Sequence, residues 1–300
     1  MRLLIAALAI LAATSARAQD VPIVQAGADG RFERQIDAKT RSDGFGPGEV
    51  AAFRGAISPI IEQLAAMPAV NAPPAPVCHR LKSWIELINP HGVMGAEIAV
   101  MAPISFRDGR CSRMTGGGII LKVNMPGAGL DPSRANVRRD ERDGDWYVLA
   151  FKPARNPRLV EYELNGDDYA IITHGRAPAF RPVSMERYLR EKIEQARRDG
   201  ADIVVRETET ALAALSPARR LQPACMVSGY ELSASPACPP ERTLVEFNPA
   251  YFDRSRPTDV QLLILGTPAH RYHGEDDAKL ASRTQMWKAI DRAALAARVR

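Results

Sequence analysis

Four cysteines constrain this chain more than any other feature, because its N-terminus addresses it to an oxidising compartment. The first twenty residues read MRLLIAALAILAATSARAQD: one cation, Arg2, an apolar run from Leu3 to Ala13, then Ala16-Arg17-Ala18 in an A-x-A cleavage pattern. Residues 1–18 read as a secretory signal peptide, too short and wrongly flanked for a stable membrane span. No cysteine follows the apolar run, which argues against a lipid anchor at the cleavage site. The mature chain is expected to begin near Gln19 and to be periplasmic or secreted. Later apolar runs such as VQLLILG (260–266) have strand length, so no membrane span is expected after cleavage.

In that setting Cys78, Cys111, Cys225 and Cys238 read as a disulfide framework. Four cysteines allow three connectivities, of which the sequence-local one, Cys78–Cys111 with Cys225–Cys238, is expected here. Chain entropy assigns about 3 kcal/mol to closing the shorter loop and about 4 kcal/mol to the longer. His79 adjoins Cys78, but no C-x2-C spacing supports a Cys/His zinc site.

Charge excludes one large class. Loss of Arg2 and Arg17 with the signal peptide lowers the formal charge from +5 to +3, which is only mildly basic. The densest basic stretch, RANVRRDERDGD (134–145), is diluted by its own acids and reads as a solvated loop. No nucleic-acid partner is expected, since such a surface clusters cations and interleaves aromatics.

Residues 19–46 are polar and are expected to be poorly structured. PGEVAAFRGAISPIIEQLAAM (47–67) places Val50, Phe53, Ile57, Ile60, Ile61 and Leu64 at helical spacing, with Pro59 expected to kink or break the helix. PAVNAPPAPV (68–77) reads as an extended proline-rich linker, and residues 78–300 as a single α+β domain. From Cys78 to Ile172 short β-rich runs alternate with turns such as RDGR (107–110) and LNGDD (164–168), predicting an antiparallel sheet of four to six strands. PVSMERYLREKIEQARRDG (182–200) is the clearest helix, with Ser184 as N-cap and Tyr188, Leu189, Ile193 and Ala196 in one apolar stripe. ADIVVRETETALAAL can continue the helix, a continuation that Gly200 disfavours. Strands are expected at TLVEFN (243–248) and DVQLLIL (259–265), and a last helix from Asp277 to Arg298 that buries Leu280, Trp287, Ile290 and Ala294. The fold class is therefore α+β: a mainly antiparallel sheet with helices packed on one face, a C-terminal helix and two disulfides.

Three segments occur in order: RAPAFRPVSMERYLREKI, LSPARRLQPA and FNPAYFDRSRPTDVQLLIL. The succession resembles secreted bacterial proteins of unknown function that carry a PVTRxxYL-like helix start, a MSPEExxxPA-like helix end and an NPxYFDxxLPxxxxQ-like strand entry. The resemblance covers roughly residues 176–265 and departs at Ser184-Met185 and Ser255-Arg256. It implies a shared architecture and no activity.

Few constellations could carry chemistry. In HRYHGEDD (270–277), His270, His273 and Glu275 are ligand types for zinc or a similar divalent ion, and a catalytic site would use three such groups and a water. Gly274 separates the histidines from the acids, and the H-E-x-x-H order is missing. The acids also have a structural role available, with Asp276 capping the final helix and Glu275 and Asp277 at its positive end. TGGGII (115–120) leads into a strand rather than a helix, so it lacks the setting of a phosphate loop. There is no G-x-S-x-G elbow and no S-x-x-K, and Ser228 sits inside the Cys225–Cys238 loop. His91 and His174 fall in turns, and Glu161 and Glu163 share one face of a strand. In NPAYFDRSRP (248–257), Tyr251, Phe252 and Arg254 could stack on a sugar or peptide, or seal the sheet edge. The leading expectation is a non-enzymatic binding or cell-envelope module, without a cofactor, whose partner is an envelope component or small ligand. The alternative is a metal-dependent hydrolase built on His270, His273 and Glu275.

Overall fold

The computed structural model describes residues 30–36, 44–75, 77–86, 91–107, 110–111, 118–126, 145–152, 156–164, 166–175, 178–228, 231–233, 238–268, 271 and 275–300. Residues 1–18, Gly116 and Gly117 of the glycine triplet, nearly all of the basic loop at 134–145, and both His270 and His273 lie outside the described residues.

The polypeptide builds one large sheet from strands far apart in sequence. These are β1 (Arg31–Gln35), β2 (Val77–Glu86), β3 (Gly95–Arg107), β4 (Arg110–Cys111), β5 (Ile119–Val123), β7 (Ala150–Phe151), β8 (Leu159–Leu164), β9 (Asp167–Thr173) and β14 (Leu262–Pro268). Their order is β1-β2-β3-β5-β14-β9-β8-β7, with β4 hairpinned onto β3. All pairings are antiparallel except β1 with β2, which is parallel. A second sheet of three strands, β10 (Phe180–Pro182), β13 (Leu244–Phe247) and β6 (Trp146–Val148), stands beside it.

Each face of the large sheet has its own core. On one side Phe53, Ile57, Ile60, Ile61 and Leu64 of α1 (Pro47–Ala65) meet Leu81, Ile98, Leu121, Ile172, Leu263 and Leu265. The helices α6 (Asp277–Ala289) and α7 (Arg292–Ala296) add Met286 and Leu295 to that core. On the other side Tyr162, Tyr169, Ile171, Leu262 and Ile264 meet Tyr147 and Val245 of the small sheet. The hairpin of α3 (Met185–Arg198) and α4 (Asp202–Ala214) belongs to a third cluster, in which Tyr188 and Leu189 pack with Trp146 and Leu244 of the small sheet.

Several local expectations hold for the stated reasons. Ser184 Oγ accepts from Arg187 N at 3.3 Å and starts α3; Asp276 Oδ1 accepts from Lys279 N at 2.9 Å and starts α6. Gly200, at φ +69°, ends α3 in a Schellman turn, with Ala201 N donating to Ala196 O and Gly200 N to Arg197 O. The chain then doubles back as α4 instead of continuing. Both disulfides have the sequence-local connectivity: Cys78–Cys111 ties β2 to β4 at a Cα separation of 5.8 Å, and Cys225–Cys238 spans 5.4 Å.

Other expectations are corrected. Part of the segment expected to be poorly structured is β1, which adds Phe32 to the core edge. The helix at 47–65 is not set apart from the main domain, since Phe53 and Ile60 are fully buried against its sheet. Pro59 leaves α1 unbroken, and the residue four positions earlier, whose carbonyl the ring crowds, is Gly55. The extended linker contains a helical turn, α2 (Pro68–Asn71), with Pro68 at its first position and Val70 buried. The expected final helix is two, because Asp291 accepts from Ala294 N at 2.9 Å and caps a new start after Ile290. Trp287 is only partly buried, with the Arg292 guanidinium 4.6 Å from its ring centre.

If α1 is integral to the fold, Phe53→Ala removes a large core side chain and costs about 3–5 kcal/mol in denaturant unfolding. A loss below about 1 kcal/mol would show that α1 is an appendage.

Candidate functional site

The acid expected to serve a metal is committed elsewhere. Glu275 is buried at the entry to α6, where its Oε1 and Oε2 accept from Arg283 Nε and Nη2 at 2.9 and 2.8 Å. Arg283 also donates to the Pro268 carbonyl, so the pair pins the start of α6 to the end of β14. Recruiting Glu275 to an ion would strand a buried guanidinium, at a cost of about 3–5 kcal/mol. Glu33, Cys78 and Cys111 also bring ligand-type atoms within 4.8 Å of one another, but the two sulfurs are bonded together and Glu33 accepts from Arg80 at 2.8 Å.

The aromatic segment at 248–261 is bonded to itself. Asp253 accepts from Ser255 N and Oγ at 3.0 and 2.6 Å and from Arg256 Nε at 3.0 Å, which holds its carboxyl below the ordinary range. Gln261, buried, accepts from Asp253 N at 2.7 Å and donates to the carbonyls of Asp253 and Arg256 at 2.9 Å. Tyr251 OH donates to Gln261 O at 2.7 Å and accepts from His174 N at 3.2 Å, and burial pushes its pKa up to about 12. The ring of His174 stacks on Tyr251 at 4.4 Å. Phe252 is buried between Tyr251, Phe247 and His91. Tyr251 and Phe252 therefore spend their faces inside the protein. Arg254 stays exposed beside Gly92, whose φ of +73° lets the chain turn there.

A serine–histidine pair went unnoticed in the sequence. His79 Nδ1 lies 2.7 Å from Val70 O and must donate to it, because a carbonyl can only accept. Nε2 is then an acceptor, 2.7 Å from Ser282 Oγ. The orientation matches that of a general base, yet His79 is 0% and Ser282 2% exposed, so the pair is a buried tie between β2, α2 and α6. Burial holds the imidazole neutral and pushes its pKa down to about 4.

The open feature is a groove of about 370 Å³ between α1 and the C-terminal residues. Ala52, Gly55, Ala56 and Pro59 form one wall, and a Cβ added at Gly55 would meet nothing within 4 Å. Thr258, Asp259 and Val260 form the second wall as the chain enters β14. Ala297, Arg298 and Arg300 form the third, because Val299 is buried and anchored by Arg158 Nη2 on its carbonyl at 2.9 Å. Arg300 N donates to Val260 O at 2.9 Å and joins the second and third walls. Asp259 pairs with Arg256 at 3.2 Å. The described lining residues include no histidine and no cysteine. The walls come from residues more than two hundred positions apart. The signal that was available is the outward face of α1, where Ala51, Ala52, Gly55 and Ala56 stand in place of the usual charged side chains.

No protein-family model, no curated protein and no solved structure matches the chain.

The buried histidine gives a pH test. The unfolded chain takes up the His79 proton near pH 6.5 and the folded chain only near 4, so neutral His79 contributes in full above 6.5 and its contribution is lost as pH falls towards 4. The span corresponds to roughly 3 kcal/mol. Melting temperatures recorded from pH 7 to 4.5 should fall more steeply for the native chain than for His79→Gln, which can keep both hydrogen bonds without titrating. Parallel curves would place His79 outside the acid response.

Proposed function

We propose that this protein is an extracytoplasmic binding module that holds a small ligand in the groove between α1 and the C-terminal residues. The groove carries the reading: its volume of about 370 Å³ falls within the range of small-molecule sites, and its walls combine the apolar Ala52, Ala56, Pro59, Val260 and Ala297 with the polar Thr258, Asp259, Arg298 and Arg300. Two disulfides support an oxidising compartment, periplasmic or secreted. Among the described residues no helix is long and apolar enough to cross a membrane. The walls are fixed by main-chain hydrogen bonds and a buried anchor, so little ordering cost falls on binding.

Gly55 supplies the test, because it lies in the middle of a helix, is exposed and has room for a side chain. Gly55→Ala should raise stability by about 0.5–1 kcal/mol through helix propensity alone. Gly55→Phe should fill the groove and leave folding intact. In a thermal-shift screen of sugars, amino acids and organic acids, ligands should raise the melting temperature of the native chain and not of Gly55→Phe. Shifts that survive Gly55→Phe would move the site elsewhere.

A further inference from the structure

The groove has a charge as well as a shape. Arg298 and Arg300 stand exposed on its rim, and neither side chain is hydrogen-bonded or ion-paired within the described residues. Most described arginines are paired: Arg34 with Glu62, Arg80 with Glu33, Arg190 with Glu186, Arg197 with Glu194, Arg283 with Glu275. The acid lining the groove, Asp259, is already held by Arg256. Arg256 is itself shared between Asp253 and Asp259, so among the described lining residues Arg298 and Arg300 are the unpaired charges and make the rim basic. Thr258 adds one hydroxyl beside it.

We infer that the ligand is a small monocarboxylate with a compact apolar body, its carboxylate facing Arg298 and Arg300 and its body lying on Ala52, Ala56 and Val260. This rests on the groove being the binding site. The guanidinium fork matches a carboxylate with two parallel hydrogen bonds. The small apolar residues Ala52, Ala56, Pro59, Val260 and Ala297 leave space for carbon beside the two arginines. The contact lies at the surface, so it weakens as salt screens it.

Calorimetric titration of the full mature chain with short-chain monocarboxylates from acetate to octanoate, with benzoate, with the corresponding amides and with inorganic phosphate tests this. At least one carboxylate should bind ten-fold or more tightly than its amide, with affinity falling as salt rises. The double substitution Arg298→Gln, Arg300→Gln should weaken that carboxylate at least ten-fold at an unchanged melting temperature and leave the amide unaffected. Three results would overturn the inference: no carboxylate binding at 10 mM (roughly 2.7 kcal/mol of affinity, a factor of a hundred from molar), equal affinity for acid and amide, or phosphate binding as tightly as the carboxylate. If a neutral compound binds and Gly55→Phe blocks it, the groove reading survives while the carboxylate assignment falls.

Discussion

The insertion of β14 between β5 and β9 organises the molecule. Every residue from Val260 to Thr267 is buried, with Leu263 and Leu265 facing the helices and Leu262 and Ile264 facing the small sheet. Two ladders must form at once, Leu263 to Gly266 against Ile120 to Val123 and Leu262 to Pro268 against Asp167 to Thr173. Asn124 sets the register. Its φ of +53° turns the chain as β5 ends, its Oδ1 accepts from Gln261 N and Leu262 N, and its Nδ2 donates to Met94 O and Asp259 O. Gln261 then organises the preceding loop with its own amide. A strand buried on both faces, paired with β5 across 140–146 residues of sequence and with β9 across 89–101, adds closure entropy and slows folding.

Two buried ionic groups extend that register to the outer layers. Glu275 with Arg283 fixes α6 to the end of β14, and Ser282 on the same helix meets His79 on β2, so α6 is attached to the sheet at two strands. Glu246 accepts from Trp146 Nε1 at 3.1 Å and from Arg181 Nε at 2.6 Å, and pairs with Arg187, which joins α3 to the small sheet. Buried charges of this kind cost desolvation and contribute directional fit more than stability. They decide where helices sit, which an apolar face alone leaves loose.

Local chemistry was legible in the sequence and long-range pairing was not. The caps at Ser184 and Asp276, the break at Gly200, the core face of α1 and both disulfides follow from spacing and residue type. The period-two pattern predicts four to six strands from hairpins, and the strand at 259–265 reads as able to pair with that sheet, whereas β1 and the place of β14 between β5 and β9 leave no periodic trace. The last helix was expected to run on because Ala293, Ala294 and Ala296 favour helix, and one cap at Asp291 overrode them. Tyr251 and Phe252 read either as a stacking surface or as a seal at the sheet edge, and their burial agrees with the seal. The groove was hidden for the opposite reason: alanine and glycine draw no notice, and the space they leave exists only once a distant wall stands opposite.

That wall is positioned by the same interaction that orders the sheet. β14 places Val260 at its entry, and the main-chain bond from Arg300 N to Val260 O fixes the last residue relative to it. Glu275–Arg283 positions α6, the cap at Asp291 turns the chain into α7, and Val299 is buried where Arg158 reaches its carbonyl. The guanidiniums of Arg298 and Arg300 thus ride on a backbone held by the Arg300 N to Val260 O bond and by Arg158 on the Val299 carbonyl, although their ends are exposed. For the proposed site, rigid walls would keep the ordering cost of association low, and flexible charged ends would close on a small anion without moving the walls. The exposed glycine at position 55 fits the same reading. It forgoes roughly 0.5–1 kcal/mol of helix stability, and the space it leaves open is the floor of the groove.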